Sequence, residues 1–115
     1  MRTMTDGEIL TVVTPIVEEM QRGWDENDYE TFTANFSDEF LRFMTRSEFD
    51  KQRGEVFSKL GKHTGLSFVH IHRNPTDVSV LWEMTCSGRS MSALICCRFM
   101  KIEQGAVMVA GWINY

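Results

Sequence analysis

The sequence predicts an α+β domain in which helices come first and an antiparallel sheet follows. Three observations carry that expectation. Apolar residues recur at spacings of three and four as far as Leu60, the repeat of a helix face. From Leu66 onward the repeat becomes two, that of a strand. The breaks in this second half are Asn74-Pro75-Thr76-Asp77, Gly88-Arg89 and Gln104-Gly105. Turns this short join neighbouring strands antiparallel, so the helices pack on one side of a curved sheet. At 115 residues the chain has room for one domain and a core of its own.

The first helix is marked by Ile9, Val12, Val13, Ile16, Val17, Met20 and Trp24. Thr5 and Glu8 are spaced to form a capping box, each side chain meeting a free backbone donor. Pro15 removes one hydrogen bond and crowds the preceding turn. The helix either kinks there or starts afresh at Thr14-Pro15, and the unbroken stripe favours the kink. Gly23 and Asp25-Glu26-Asn27 end it. A short second helix starts at Asp28, a good N-cap, and turns Tyr29, Phe32 and Phe36 to one side. Ser37-Asp38-Glu39 reads as a break, and Phe40–Met44 as a short strand. Thr45 and Glu48 repeat the capping box ahead of a third helix carrying Phe49, Val56, Phe57 and Leu60 inward. Gly61, flanked by Lys59 and Lys62, closes it.

Four strands follow, over Leu66–Arg73, Val78–Ser87, Ser90–Ile102 and Ala106–Asn114. A two-residue turn at Gly88-Arg89 pairs Cys86 with Met91, Met84 with Ala93, Trp82 with Ile95, Val80 with Cys97 and Val78 with Phe99. Ile71 and Val69 join this apolar face from the first strand. The other face carries Phe68, His70, His72, Ser79, Leu81, Glu83, Leu94, Cys96, Arg98 and Met100. It mixes charge with large apolar groups, whereas a face meant for water alone is more polar. A second chain packed against it accounts for the mixture. A bulge at Gly105 would reverse every later residue, so the facing of Trp112 stays open.

Composition narrows the function classes. The net charge is −4 and no basic stripe is present, which argues against a nucleic-acid partner. The charge is unevenly spread: residues 1–45 hold ten acids and three bases, residues 46–115 nine bases and six acids. The acids crowd at helix starts, where the helix dipole favours them. No apolar run approaches the roughly 18 residues that cross a bilayer, and the polar start does not read as a signal peptide. The three cysteines lack a CxxC spacing. They read as reduced, small hydrophobes of a cytoplasmic protein without a membrane partner.

The order of elements resembles the nuclear transport factor 2-like superfamily. The resemblance runs from the first helix through Asn27-Asp28-Tyr29-Glu30, Phe32 and Phe36-Ser37-Asp38-Glu39-Phe40 to the capped helix ending at Leu60-Gly61. It covers nearly the whole chain, residues 1–115, as one domain. It implies a cystatin-like fold, α-α-(β)-α-β-β-β-β, a curved sheet wrapped around a long helix. Members include SnoaL-like cyclases, ketosteroid isomerases, dehydratases and non-catalytic binding domains, so the fold alone selects no activity. Of these members, ketosteroid isomerases place a Tyr eight residues before the Asp matched by Asp28 and a base Asp eight residues after the Phe matched by Phe36. Those positions hold Met20 and Met44, so no catalytic residue carries over.

A cavity between helices and sheet would draw its lining from Met20, Trp24, Phe36, Phe40, Phe43, Met44, Trp82, Met84, Met91 and Cys97. A small hydrophobic ligand fits such a lining; the same side chains can equally fill a closed core. His70-Ile71-His72 places two imidazoles on one strand face, with Glu83 in diagonal reach. That trio has zinc-ligand chemistry, but it lies on the face turned from the helices. It reads better as polar interface, and no metal or cofactor is assigned. His70, His72, Leu81, Glu83, Leu94, Cys96 and Arg98 are therefore the expected homodimer contacts. The expected function is a dimeric, non-catalytic binding or assembly module. The alternative is a SnoaL-like isomerase, dehydratase or cyclase acting on a small hydrophobic substrate.

Overall fold

The computed structural model describes residues 3–101 and 107–114. Helices α1 (Asp6–Asp25), α2 (Tyr29–Thr33), α3 (Asp38–Phe43) and α4 (Arg46–Leu60) precede strands β1 (His63–Arg73), β2 (Val78–Cys86), β3 (Ala93–Lys101) and β4 (Val107–Asn114). The strands form one antiparallel sheet in the order β1-β2-β3-β4. The α+β architecture and its meander are as the periodicity requires.

α1 opens on the capping box. Thr5 N donates to Glu8 Oε1 at 2.9 Å, and Glu8 N donates to Thr5 Oγ1 at 3.1 Å. The helix runs through Pro15 as one element. It continues past Gly23, which is there for a close approach and not as a stop: a Cβ on it would lie 2.4 Å from Phe32 N. Asp28 caps α2 by accepting from Thr31 N at 3.2 Å.

The stretch expected as a strand, Phe40–Met44, is helical instead. Ser37 supplies the N-cap, accepting from Phe40 N at 3.2 Å, and Asp38 and Glu39 sit in the first turn. The acids that read as a break are a helix start favoured by the dipole. The strand-like contact falls earlier, at Phe36, which bridges Val109 in parallel. Val109 N donates to Asn35 O at 2.7 Å and Ser37 N to Val109 O at 2.8 Å. Residues 35–37 thus line the free edge of β4 and fix where α3 begins.

The β2–β3 register is the expected one, from Val78 opposite Phe99 to Met84 opposite Ala93. The connection is longer than the two-residue turn. Ser87 N donates to Lys62 O and Gly88 N to Leu60 O, both at 2.8 Å. The chain leaving β2 is therefore held against the end of α4. Gly61 takes φ +68 there, a region where a side chain is strained. Met91, expected opposite Cys86, lies in this loop and is 75% exposed.

Two bulges reset faces. Val69 is the extra residue between Phe68 and His70. It is 48% exposed and does not join Ile71 on the core face, while Phe68 pairs with Trp82. In β4 the extra residue is Ala110, since Arg98 pairs with Gly111 and Phe99 with Val109. One inserted residue lets Val109 and Trp112, three apart, both face inward. The Gln104-Gly105 turn lies outside the described residues.

Trp24 organises the core. Its ring centroid lies 4.8 Å from Trp112, 5.4 Å from Phe32 and 5.6 Å from Phe49. The aromatic row continues from Phe32 to Phe36 at 5.1 Å, to Phe40 at 4.5 Å and to Phe43 at 6.2 Å. Aromatic pairs at these separations add to the stability gained from burial itself.

Candidate functional site

The side chains expected around an interior cavity divide into two groups. Met20, Trp24, Phe36, Phe40, Met44, Trp82, Met84 and Cys97 are buried in one continuous core. Phe43 is 63% exposed, and Met91 projects from its loop. The first eight meet one another, and the three grooves described below are lined, of these eight, by Phe36 and Phe40 alone.

The grooves lie along α3. The largest, about 410 Å³, is walled by Phe40 and Phe43 from α3 and by Arg98, Met100 and Lys101 from β3, with Asp77 below. A second, about 370 Å³, shares Ser37, Glu39 and Met100 with it and extends to Met108. A third, about 340 Å³, lies between Phe40, Ser79, Cys96, Arg98 and Trp112. Because Cys97 and Phe99 face the core, strand alternation turns Cys96, Arg98 and Met100 to the other side. These three grooves thus border the outer face of the sheet.

A polar network supports the floor of the first groove. Asn74 Nδ2 donates to Asp77 Oδ1 at 2.6 Å and to Ser79 Oγ at 3.1 Å. Asn74 N donates to Asp77 O at 2.9 Å. Asp77, 8% exposed, accepts on Oδ2 from Arg98 Nη1 at 2.8 Å. Arg98 Nη2 donates to Ala110 O, in the β4 bulge, at 3.0 Å. A buried carboxylate costs free energy unless paired and hydrogen-bonded, and Asp77 has both partners.

The remaining interface candidates sit on the same outer face. His70 pairs with Leu81, and Leu81 with Cys96; Glu83 pairs with Leu94. His70, His72, Glu83 and Leu94 are exposed, and Leu81 and Cys96 half-buried. The two imidazole centroids are 6.5 Å apart. Among the described residues no group of three or more His, Cys, Asp or Glu side chains could hold a metal ion. None of the helices described is long and apolar enough to cross a membrane.

Several polar groups tie together elements that are far apart in the sequence. Asp25, the last residue of α1, accepts from His63 N at 3.2 Å and contacts His63 Nδ1 through its other oxygen. It latches α1 to the start of β1, and both side chains lie outside the three grooves. Arg53 donates from Nε to Trp24 O at 2.7 Å and from Nη2 to Asp25 O at 3.0 Å, capping α1, with its guanidinium 4.0 Å over the Phe57 ring. Gln21 is 1% exposed. Its Nε2 donates to Met84 Sδ, while its Oε1, like Trp112 Nε1, has no hydrogen-bond partner among the described residues. No residue spacing marks Gln21 as inward, since its neighbours on the stripe are all apolar. Burial pushes all three thiols upward, and Cys97 furthest, with Cys96 beside it adding to the effect. A thiol shifted that way is a poor nucleophile.

No protein-family model matches the chain, and no curated protein matches it. Among solved structures it is similar to Bd1075 of Bdellovibrio bacteriovorus, with 12% identity and a TM-score of 0.50, over 90% of this chain and 39% of that one. It is also similar to Bal32a, from a soil-derived mobile gene cassette, with 15% identity and a TM-score of 0.43, over 89% and 88% of the two chains. The chain therefore spans well under half the length of Bd1075. At this identity the likeness to Bd1075 concerns the fold.

Proposed function

We propose that this chain is a non-catalytic assembly module of the nuclear transport factor 2-like kind, and that two copies pair through the outer sheet face. The observation that carries the reading is the placement of Leu81, Glu83, Leu94 and Cys96 side by side on the two central strands. A central strand pair that met only water would gain nothing from Leu opposite Cys and Leu opposite Glu. A twofold axis through this patch brings like surfaces together. The Glu83 of one copy can then meet a His70 imidazole of the other. The size is adequate. Four strands at ~4.8 Å spacing and about nine residues of ~3.4 Å give roughly 600 Å² per copy, the low end for a stable pair.

The interior supports a binding or assembly role over chemistry. Met20 and Met44, at the positions where ketosteroid isomerases carry their acid and base, are packed in the core. Neither thioether can move a proton.

Light scattering on a sizing column tests the proposal. The expected result is twice the chain mass at about 100 µM, and the single-chain mass for Leu94→Glu. Leu94 is exposed, so this variant leaves the core intact. A wild type that stays at the single-chain mass, or a dimer indifferent to Leu94→Glu, overturns the reading.

A further inference from the structure

We infer that Met91 of one copy closes the dimer by entering the groove between Phe43 and Met100 of the other. The contact rests on the dimer proposed above and names what fills that groove in each copy.

The strand register selects the symmetry axis. On β2 and β3 the outer face carries two rungs, Leu81 opposite Cys96 and Glu83 opposite Leu94. A twofold axis running along the strands, between β2 and β3, lays Glu83 of one copy on Leu94 of the other. The carboxylate there loses water and meets no cation, which is costly. An axis running across the strands, at the level of Ile95, interchanges the two rungs instead. Leu94 then lies on Cys96 of the other copy, apolar on apolar. Glu83 lies on Leu81 of the other copy, whose neighbour on β1 is His70. Of the two axes, only the second gives Glu83 an imidazole partner.

The same axis fixes what faces the groove. Met100 follows Ile95 by as many residues as Ser90 precedes it. The axis therefore carries the Ser90-Met91 loop of one copy to the Met100 end of β3 in the other. Phe43 stands at that end, lining the groove of about 410 Å³ with Phe40 and Met100. Met91 and Phe43 are the two most exposed large hydrophobic side chains among the described residues, at 75% and 63%. They lie at opposite ends of the outer patch, so one axis brings them together twice, once at each end of the dimer.

Both side chains are braced for docking. Arg89 donates from Nε to Met91 O at 2.9 Å and from Nη2 to Ser92 O at 2.6 Å, and Gly88 N donates to Leu60 O at 2.8 Å. The loop is held from two sides, and a knob on such a loop costs little ordering when it binds. Phe43 stacks on Phe40, which stacks on Phe36. The groove lining holds two bases, Arg98 and Lys101, and two acids, Asp77 and Glu39, so no net charge calls for an ion. A thioether is neutral and adaptable and gains from contact with an aromatic ring. The end contacts also enlarge an interface whose sheet portion, at roughly 600 Å² per copy, is small for a stable pair.

Sedimentation equilibrium of the full chain tests the contact as a double-mutant cycle. Met91→Ser and Phe43→Ala are each expected to weaken pairing about tenfold, since each removes the contact at both ends of the dimer. The double variant is expected to pair little more weakly than either single one, because both substitutions remove the same contact. Met91 lies outside the core, so Met91→Ser leaves the fold intact. A dimer that Leu94→Glu dissociates and Met91→Ser leaves at wild-type strength overturns the end contact while the sheet pairing stands. Single effects that multiply in the double variant overturn it as well. A wild type at the single-chain mass overturns both the end contact and the dimer.

Discussion

Replacing Gly23 or Gly54 with alanine makes the same chemical change in two helices and should move stability in opposite directions. In a helix interior the change gains about 1 kcal/mol from backbone entropy. Gly54 is on the exposed side of α4, and a Cβ there meets nothing within 4 Å, so the full gain is expected. At Gly23 the added carbon would sit 2.4 Å from Phe32 N, 2.8 Å from Phe32 Cα and 2.9 Å from Asp28 O. All three are backbone atoms, so no side chain can swing away. α2 must retreat by about 1 Å, against the Asp28 N to Gly23 O bond of 2.8 Å and the packing of Phe32 on Trp24, Phe49 and Trp112. Overpacking of this kind costs ~3 kcal/mol at its upper end. Less the propensity gain, the net loss is about 2 kcal/mol. For a domain of this length, 1 kcal/mol corresponds to about 4 °C in Tm. Gly23→Ala should therefore melt about 8 °C lower than the wild type, and Gly54→Ala about 4 °C higher, followed by tryptophan fluorescence. A Gly23→Ala protein as stable as the wild type would refute the close approach of α1 and α2.

Two further outcomes follow from the ionisable groups. Cys97 is buried and its thiol pushed well up by desolvation. It should resist a thiol-exchange reagent at neutral pH until the chain unfolds, so its labelling rate in urea should track the unfolded fraction; rapid labelling of the native protein would contradict the core. The hydroxyl and then the backbone N–H of Thr31 hold the Asp28 carboxyl below its usual range, and the backbone and hydroxyl of Thr5 do the same for Glu8. A carboxyl depressed in the folded state adds stability above its unfolded pKa and loses it as pH falls through the folded value. The wild type should lose stability below about pH 4, and Asp28→Asn with Glu8→Gln should flatten that acid limb; an unchanged limb in urea melts would show that neither cap titrates with folding.

The two halves of the fold were legible to different depths. The capping residues Thr5, Asp28 and Thr45 could be read directly, because a cap is a local bond between residues three apart. So could the β2–β3 register, because alternation of Val78, Val80, Trp82 and Met84 leaves one pairing that buries them all. Ser37-Asp38-Glu39 was also a local signal, but a break and a helix start share the same residue types.

The bulges at Val69 and Ala110 had no such signal. A bulge adds one residue to one strand, and nothing in the residue types marks where the ladder will slip. The same limit applies to the site. The residue pattern identified Arg98 and Met100 as outer-face neighbours. It could not show that Asp77, from a turn, would brace Arg98, or that residues 35–37 would bind the β4 edge and hang α3 over them. The sequence by itself determined periodicity, capping and the choice of which sheet face is oily, since each depends on residues within a few positions of one another. Only the tertiary structure decided that Met20, Trp24, Phe36, Phe40, Met44, Trp82, Met84 and Cys97 meet in one core and that the three grooves described lie beside α3. That outcome depends on how side chains from distant segments fill a common volume, which no single segment encodes.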